Sequence, residues 1–193
     1  MLRTFIALPI SASMKSGFHD AIEPLRSALP AGVRWVPEEN IHLTVKFLGE
    51  QPAARIDAMK PLLQSLVQRI PPMSLTVGGV GCFPSPSRPR VLWIGLEEPT
   101  GTLKRLVMDL EQTLESLGVE PERRSFHPHL TFARIKKPLS KGELERFRHQ
   151  LDALHMITFG EEIVNELVLF RSDLRREGPL YSALHTFPFE GGT

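Results

Sequence analysis

Two short segments, His42-Leu43-Thr44-Val45 and His129-Leu130-Thr131-Phe132, repeat one pattern nearly half of the 193-residue chain apart. Each alternates polar and apolar residues, the two-residue period of a half-buried strand. His42 and Thr44 therefore share one face, while Leu43 and Val45 point into a core, and His129 and Thr131 repeat that arrangement. With seven histidines in the chain, a chance recurrence of this setting has odds on the order of one in a thousand. A duplicated α+β unit explains the repeat economically. Two lobes would each give one His-x-Thr strand to a shared central groove.

The rest of the chain reads as alternating strands and helices around those two segments. Leu2 to Leu8 is a strand closed by Pro9, and 11–29 has helical spacing (Met14, Phe18, Ile22, Leu25, Leu29), with Pro24 expected to bend or split it. A short strand, 33–36, precedes the first motif strand, Ile41 to Leu48, which Gly49 is expected to end. A helix over 53–69 stops at Pro71-Pro72. Strands at 74–80 and 91–96 flank a loop, Gly81 to Arg90. In the second half a helix runs over 102–117 to Gly118. The second motif strand spans 129–134, and a helix over 140–154 opens on Ser140 with Glu143 three residues on, a capping-box pattern. Strands at 156–159, 163–170 and 180–187 follow.

Charge and cysteine content narrow the partners. A net charge of +1 gives no field for gripping long nucleic acid through many phosphates, so any basic contact must be local and built from a few arginines. The single cysteine, Cys82, excludes an internal disulfide and leaves too little thiolate for a structural zinc site, which suits a reducing cytoplasm. The opening apolar run is too short for a signal peptide, and no stretch approaches the roughly 20 apolar residues of a membrane span. Nothing in the pattern calls for an obligate protein partner or an assembly beyond a monomer.

Two imidazoles facing one groove can divide acid and base roles near neutral pH, because the unperturbed pKa is about 6.5. One takes a proton from water; the other gives a proton to a leaving oxygen. Thr44 and Thr131 can donate hydrogen bonds to non-bridging phosphoryl oxygens. No metal is required, and no carboxylate cluster suggests one. Arg134 follows His129 by five residues, so strict alternation would bury its guanidinium unpaired, which is prohibitively costly. The strand must end or bulge there, turning Arg134 toward the groove to bind phosphate. Phe47 holds the same offset after His42 and can stack on a base. His127 lies before the strand proper and is set aside as a catalytic group. His19, His149, His155 and His185 lack the motif and read as surface residues. The pairs Arg123-Arg124 and Arg175-Arg176 read as solvated, with guidance of an RNA backbone by either pair as the alternative. Cys82 has no activating partner as a nucleophile.

The paired motifs, with Phe126-His127-Pro128-His129-Leu130-Thr131-Phe132-Ala133-Arg134, resemble the 2H phosphoesterase superfamily. Within it, the chain is similar to the bacterial and archaeal RNA 2′,3′-cyclic phosphodiesterases, once described as 2′-5′ RNA ligases. Further matches run from Arg3-Thr4-Phe5-Ile6-Ala7-Leu8, through Val33-Arg34-Trp35-Val36 and Asn40 to Glu50, to Leu169-Phe170-Arg171-Ser172 and Gly178-Pro179-Leu180-Tyr181. The resemblance covers essentially the whole chain and implies one 2H phosphoesterase domain over residues 1–193. Its fold would be bilobal α+β with pseudo-twofold symmetry, two antiparallel-rich sheets lining a central groove and no cofactor. The implied reaction opens the terminal cyclic phosphate of RNA to a 2′-phosphate. By position, His42 would be the proton donor to the departing 3′-oxygen and His129 the proton acceptor that activates water. Thr44, Thr131 and Arg134 would hold phosphate, and Phe47 would contact the terminal base. Phe132 stands where the family often has a small aliphatic residue. The alternatives on the same fold are a reversible 2′-5′ ligase and a hydrolase of small cyclic nucleotides; a binder of RNA ends without catalysis is the alternative from another class.

Overall fold

The computed structural model describes residues 1–30, 32–176 and 178–191. Among these, nine strands and four helices follow in chain order: β1 (Leu2–Pro9), α1 (Ala12–Ala28), β2 (Val33–Trp35), β3 (His42–Gln51), α2 (Ala53–Val67), β4 (Met73–Phe83), β5 (Val91–Glu97), α3 (Thr102–Glu115), β6 (His129–Ile135), α4 (Lys141–Leu154), β7 (Thr158–Val164), β8 (Glu166–Leu174) and β9 (Pro179–Pro188). A 3₁₀ turn, Glu38–Asn40, leads into β3.

The strands hydrogen-bond in the order β7-β4-β5-β6-β3-β1-β8-β9, with β2 added alongside β6. The neighbouring strands all run antiparallel. The strands form one continuous nine-stranded sheet whose order divides into two four-stranded halves, β3-β1-β8-β9 and β6-β5-β4-β7, joined where Leu43 pairs with Leu130. Beyond that pair the motif strands part, and the last residues of β6, Ala133 to Ile135, pair with β2 instead. Leu43 and Leu130 are both fully buried. A pseudo-twofold relation between the two halves thus passes through their contact.

The helices cover the outer face in crossed fashion. α2 and α3 pack together, against β9 and β3 respectively, whereas α1 and α4 pack together over β7 and β4. α1, which directly follows β1, therefore belongs to the other half of the sheet. The same exchange places α3, which follows β5, on the half built around β3. Their buried faces follow the sequence spacing: Phe18, Ile22 and Leu25 on α1, and Leu103, Leu106, Val107, Leu110 and Leu114 on α3.

Several element ends differ from the sequence expectation. Pro24 lies inside α1 without splitting it. Gly49 does not end β3. It takes a φ of +69° beside a register shift and lets the strand continue to Gln51. β4 extends to Phe83, so the loop before β5, which begins at Val91 as expected, is only 84–90. The late strands break at Asn165, because β7 pairs with β4 through Val164 and β8 restarts at Glu166 against β9. The capping box of α4 is formed as expected, with Ser140 and Glu143 each accepting from the other's backbone N–H.

Candidate active site

An antiparallel register through Leu43 and Leu130 sets Thr44 across from His129 and His42 across from Thr131. All four point away from the two buried leucines, into the groove. The motif repeat thus becomes a diagonal arrangement in which each imidazole neighbours the other strand's hydroxyl.

Each motif strand then carries one extra residue. Ile6 pairs with Lys46 but Ala7 with Thr44, leaving Val45 unpaired; Leu92 pairs with Ala133 but Trp93 with Thr131, leaving Phe132 unpaired. These are β-bulges, and each moves the following residues onto the opposite face. Val45 and Lys46 are consequently both buried, as are Phe132 and Ala133, while Phe47 and Arg134 emerge on the His-Thr side. The bulge required by the charge on Arg134 is present, and its counterpart turns Phe47 out to 65% exposure. Phe132, the bulkier residue at its position, is absorbed in the core against Trp35, with ring centroids 6.1 Å apart.

Aromatic rings fix the two imidazoles in different ways. Phe5 lies against the face of His42 at 4.8 Å, Phe170 stacks beside both rings at 5.2 Å from Phe5 and 6.1 Å from His42, and Tyr181 meets His42 edge-on at 5.3 Å. His129 instead meets the rings of Phe83 and Trp93 at steep angles, at 5.1 and 6.4 Å. Each histidine also engages the backbone two residues before it. His129 Nδ1 and the His127 carbonyl are 2.6 Å apart, and His42 bonds to the backbone of Asn40. With Nδ1 of His129 donating to that carbonyl, its Nε2 is left free for the groove. His127 thus contributes its carbonyl, not its imidazole, which is exposed.

Burial pushes the His42 pKa down to about 4, and the positive charge of Lys15 adds to this; the backbone bond at Asn40 opposes it. Burial also lowers His129, helped by the fields of Arg134 and His127 and opposed by the His127 carbonyl. Among the described residues, no acidic side chain figures in the field at either ring. At neutral pH both are therefore uncharged, and an anion entering the groove is what would favour their protonated forms. Arg134, Arg3 and Arg34 all act electrostatically on the Tyr181 hydroxyl, whose pKa burial raises. The groove beside His42 is thus positive. Asn40 Nδ2 donates to the Pro179 carbonyl at 3.0 Å, tying the turn before β3 to the start of β9 and holding Tyr181 at the site.

All six residues singled out by sequence thus fall on the groove face. The aromatic wall of Phe5, Phe83, Trp93, Phe170 and Tyr181 is what sequence reasoning missed. His19, His149, His155 and His185 are exposed, as are both arginine pairs. Cys82 is buried, with its thiol pushed up to about 11, an inert group. Among the described residues, no three His, Cys, Asp or Glu side chains gather as a metal site would need, and no helix is long and apolar enough to cross a membrane.

The chain belongs to the LigT-like phosphoesterase family, whose model matches it twice, over residues 10–93 and 94–181. It is 35% identical to the RNA 2′,3′-cyclic phosphodiesterase of Thermotoga maritima, over 99% of this chain and 97% of that protein. It is 30% identical to the protein of the same name from Methanothermobacter thermautotrophicus, over 96% of this chain and 98% of the relative. Among solved structures, TT0787 of Thermus thermophilus superposes with a TM-score of 0.82 at 27% identity, covering 99% of this chain and all (100%) of that one. Escherichia coli LigT complexed with 3′-AMP gives 0.74 at 25% identity, covering 97% and 98%.

Proposed function

We propose that the protein hydrolyses the terminal 2′,3′-cyclic phosphate of RNA to a 2′-phosphate by acid–base catalysis between His42 and His129. The observation carrying this reading is the diagonal of two imidazoles and two threonine hydroxyls about the Leu43–Leu130 pair. The names of the relatives support the substrate class.

In the proposed step His129 accepts a proton from water as its oxygen attacks phosphorus. The bond from phosphorus to the 3′-oxygen breaks, and His42 delivers a proton to that oxygen. Thr44, Thr131 and Arg134 hold the non-bridging oxygens and take up the charge that develops on them. The terminal base stacks on Phe47. With a pKa near 4, only about one His42 in a thousand carries a proton at pH 7 in the free protein. The donor role therefore depends on the substrate: the bound phosphate anion draws a proton onto His42, and substrate binding is accompanied by proton uptake. Afterwards His129 holds the proton taken from water and His42 has given its own to the 3′-oxygen, so proton exchange with solvent resets the pair.

A second reading, turnover of free cyclic mononucleotides, is favoured by the binding of 3′-AMP to Escherichia coli LigT. Microscopic reversibility makes 2′-5′ ligation the reverse of the related phosphodiester opening, with the proton roles exchanged. We further read residues 1–193 as one 2H phosphoesterase domain that works as a cytoplasmic monomer without a cofactor; elution of the purified protein at the monomer volume checks the assembly state. The reaction itself is tested on a short RNA with a 2′,3′-cyclic end, in the presence of EDTA. Release of a 2′-phosphate supports the assignment, a 3′-phosphate product reverses the leaving oxygen, and no turnover on RNA or mononucleotide overturns the reading.

A further inference from the structure

The groove has two ends, and their charges differ. At the β1–β8 end, Arg171 is committed to Asp173, its Nη2 and Nε lying 2.7 and 2.8 Å from Oδ1. Arg171 is thus ion-paired, and Arg3, which forms no ion pair among the described residues, has Glu50 across from it in the β1–β3 register. At the β5–β6 end, Arg88, Arg90, Arg134, Lys136 and Lys137 are all exposed. Among the described residues, none of these five forms an ion pair.

Strand register gathers those five. Arg134 pairs with Val91, and the Ile135 N–H donates to the Arg90 carbonyl at 2.9 Å. The Arg90 guanidinium donates in turn to the Lys136 carbonyl at 2.8 Å, closing the 84–90 loop onto the end of β6. The loop is held from its other side as well, where Arg148 donates to the Pro86 carbonyl at 3.3 Å. It starts at Phe83, whose ring touches His129. A braced, uncompensated cationic surface thus leads from the histidine wall outward past Arg134.

We propose that Arg88, Arg90, Lys136 and Lys137 continue from Arg134 as a track for the phosphates that precede the reacting end of a single-stranded RNA. The inference rests on the reaction proposed above and deepens it: the terminal nucleotide fills the groove, and the upstream backbone leaves over the β5–β6 end. The net charge of +1 fits such a local grip, because a few uncompensated cations attract a short strand without binding nucleic acid at large.

The test is the triple variant Arg88→Gln/Lys136→Gln/Lys137→Gln, which spares the groove and the Arg90 brace. Turnover is compared on a 2′,3′-cyclic-ended oligonucleotide and on a 2′,3′-cyclic mononucleotide across a salt series. The expected result is a loss of about tenfold in kcat/KM on the oligonucleotide at low salt, with mononucleotide turnover kept within about twofold. The dependence of log kcat/KM on log salt should flatten by about 0.7 for each phosphate that the variant no longer neutralises. An equal loss on both substrates, or no loss on either, overturns the track while leaving the reaction standing. A wild-type protein inactive on both substrates overturns the reaction, and the track with it.

Discussion

The two motif strands share a backbone plan down to the bulge, yet from the bulge onward their side chains have diverged at each position. After His42 come the buried cation Lys46 and the exposed ring of Phe47; after His129, the matching places hold Ala133 and Arg134. Lys46 is neutralised on the outer side, 2.5 Å from Glu111 on α3 and 2.8 Å from the Glu120 carbonyl. The histidines diverge too. His42 is packed face-on and pushed down to about 4, while His129 sits among ring edges with more access to water. In the proposed reaction, the duplicated frame thus supports a nucleoside-facing half and a phosphate-facing half. The lesson is that symmetric scaffolding does not impose symmetric chemistry.

Removing either imidazole should erase the division altogether. His42→Ala and His129→Ala are each expected to lower turnover between about 10²- and 10⁴-fold, with unchanged circular dichroism at assay temperature; near-normal activity in either would end the acid–base assignment. Next in size, Arg134→Ala should cost roughly a hundredfold in kcat/KM, most of it in kcat, as removal of one charged transition-state partner does. A change confined to KM would move Arg134 out of the reacting site. Phe47→Ala should do the opposite, raising KM roughly tenfold at nearly constant kcat, because a stacked base contributes about 1–3 kcal/mol.

The unequal imidazoles separate in their response to pH. Since His42 has a folded-state pKa near 4 against about 6.5 when unfolded, the unfolded chain binds more protons throughout that interval. Stability is therefore intact above pH 6.5 and declines as pH falls toward 4, by up to about 3 kcal/mol from this residue. Denaturant melts at pH 7 and 4.5 should show the decline, and His42→Asn should shrink it. Nuclear magnetic resonance should follow His42 titrating below His129; Phe5→Ala should raise the His42 midpoint by loosening its burial. Coincident midpoints in the native protein would contradict the asymmetry.

Local rules made the motif strands readable. Period-two alternation placed His and Thr on one face, and the cost of burying the Arg134 charge required a bulge that the register shows at Phe132. Ser140 and Glu143 announced their own capping box. The aromatic wall was not readable, because Phe5, Phe83 and Phe170 alternate as core residues would, and period two does not tell a groove from a core. Tyr181 offered the nearest thing to a signal, being the chain's single tyrosine, but its place beside His42 depends on a bond between Asn40 and Pro179 across the whole chain. Gly49 misled for a related reason: its +69° φ sits in a bulge, and only the partner strand shows that pairing resumes beyond it.

The crossed helices bear on how such a molecule comes into being. Cut between residues 93 and 94, where the two family matches meet, the N-terminal piece would keep β1 paired with β3 but leave β4 without β7, and α1 without α4. The C-terminal piece would hold α3 with no β3 to cover. Neither fragment closes a core by itself, so the two must fold by completing one another. An unduplicated ancestor carrying this topology could have been whole only as an exchanged pair of chains, and gene fusion would have turned that partnership into a covalent one. The freedom of the two halves to specialise follows, since after fusion each could drift without its twin drifting alongside.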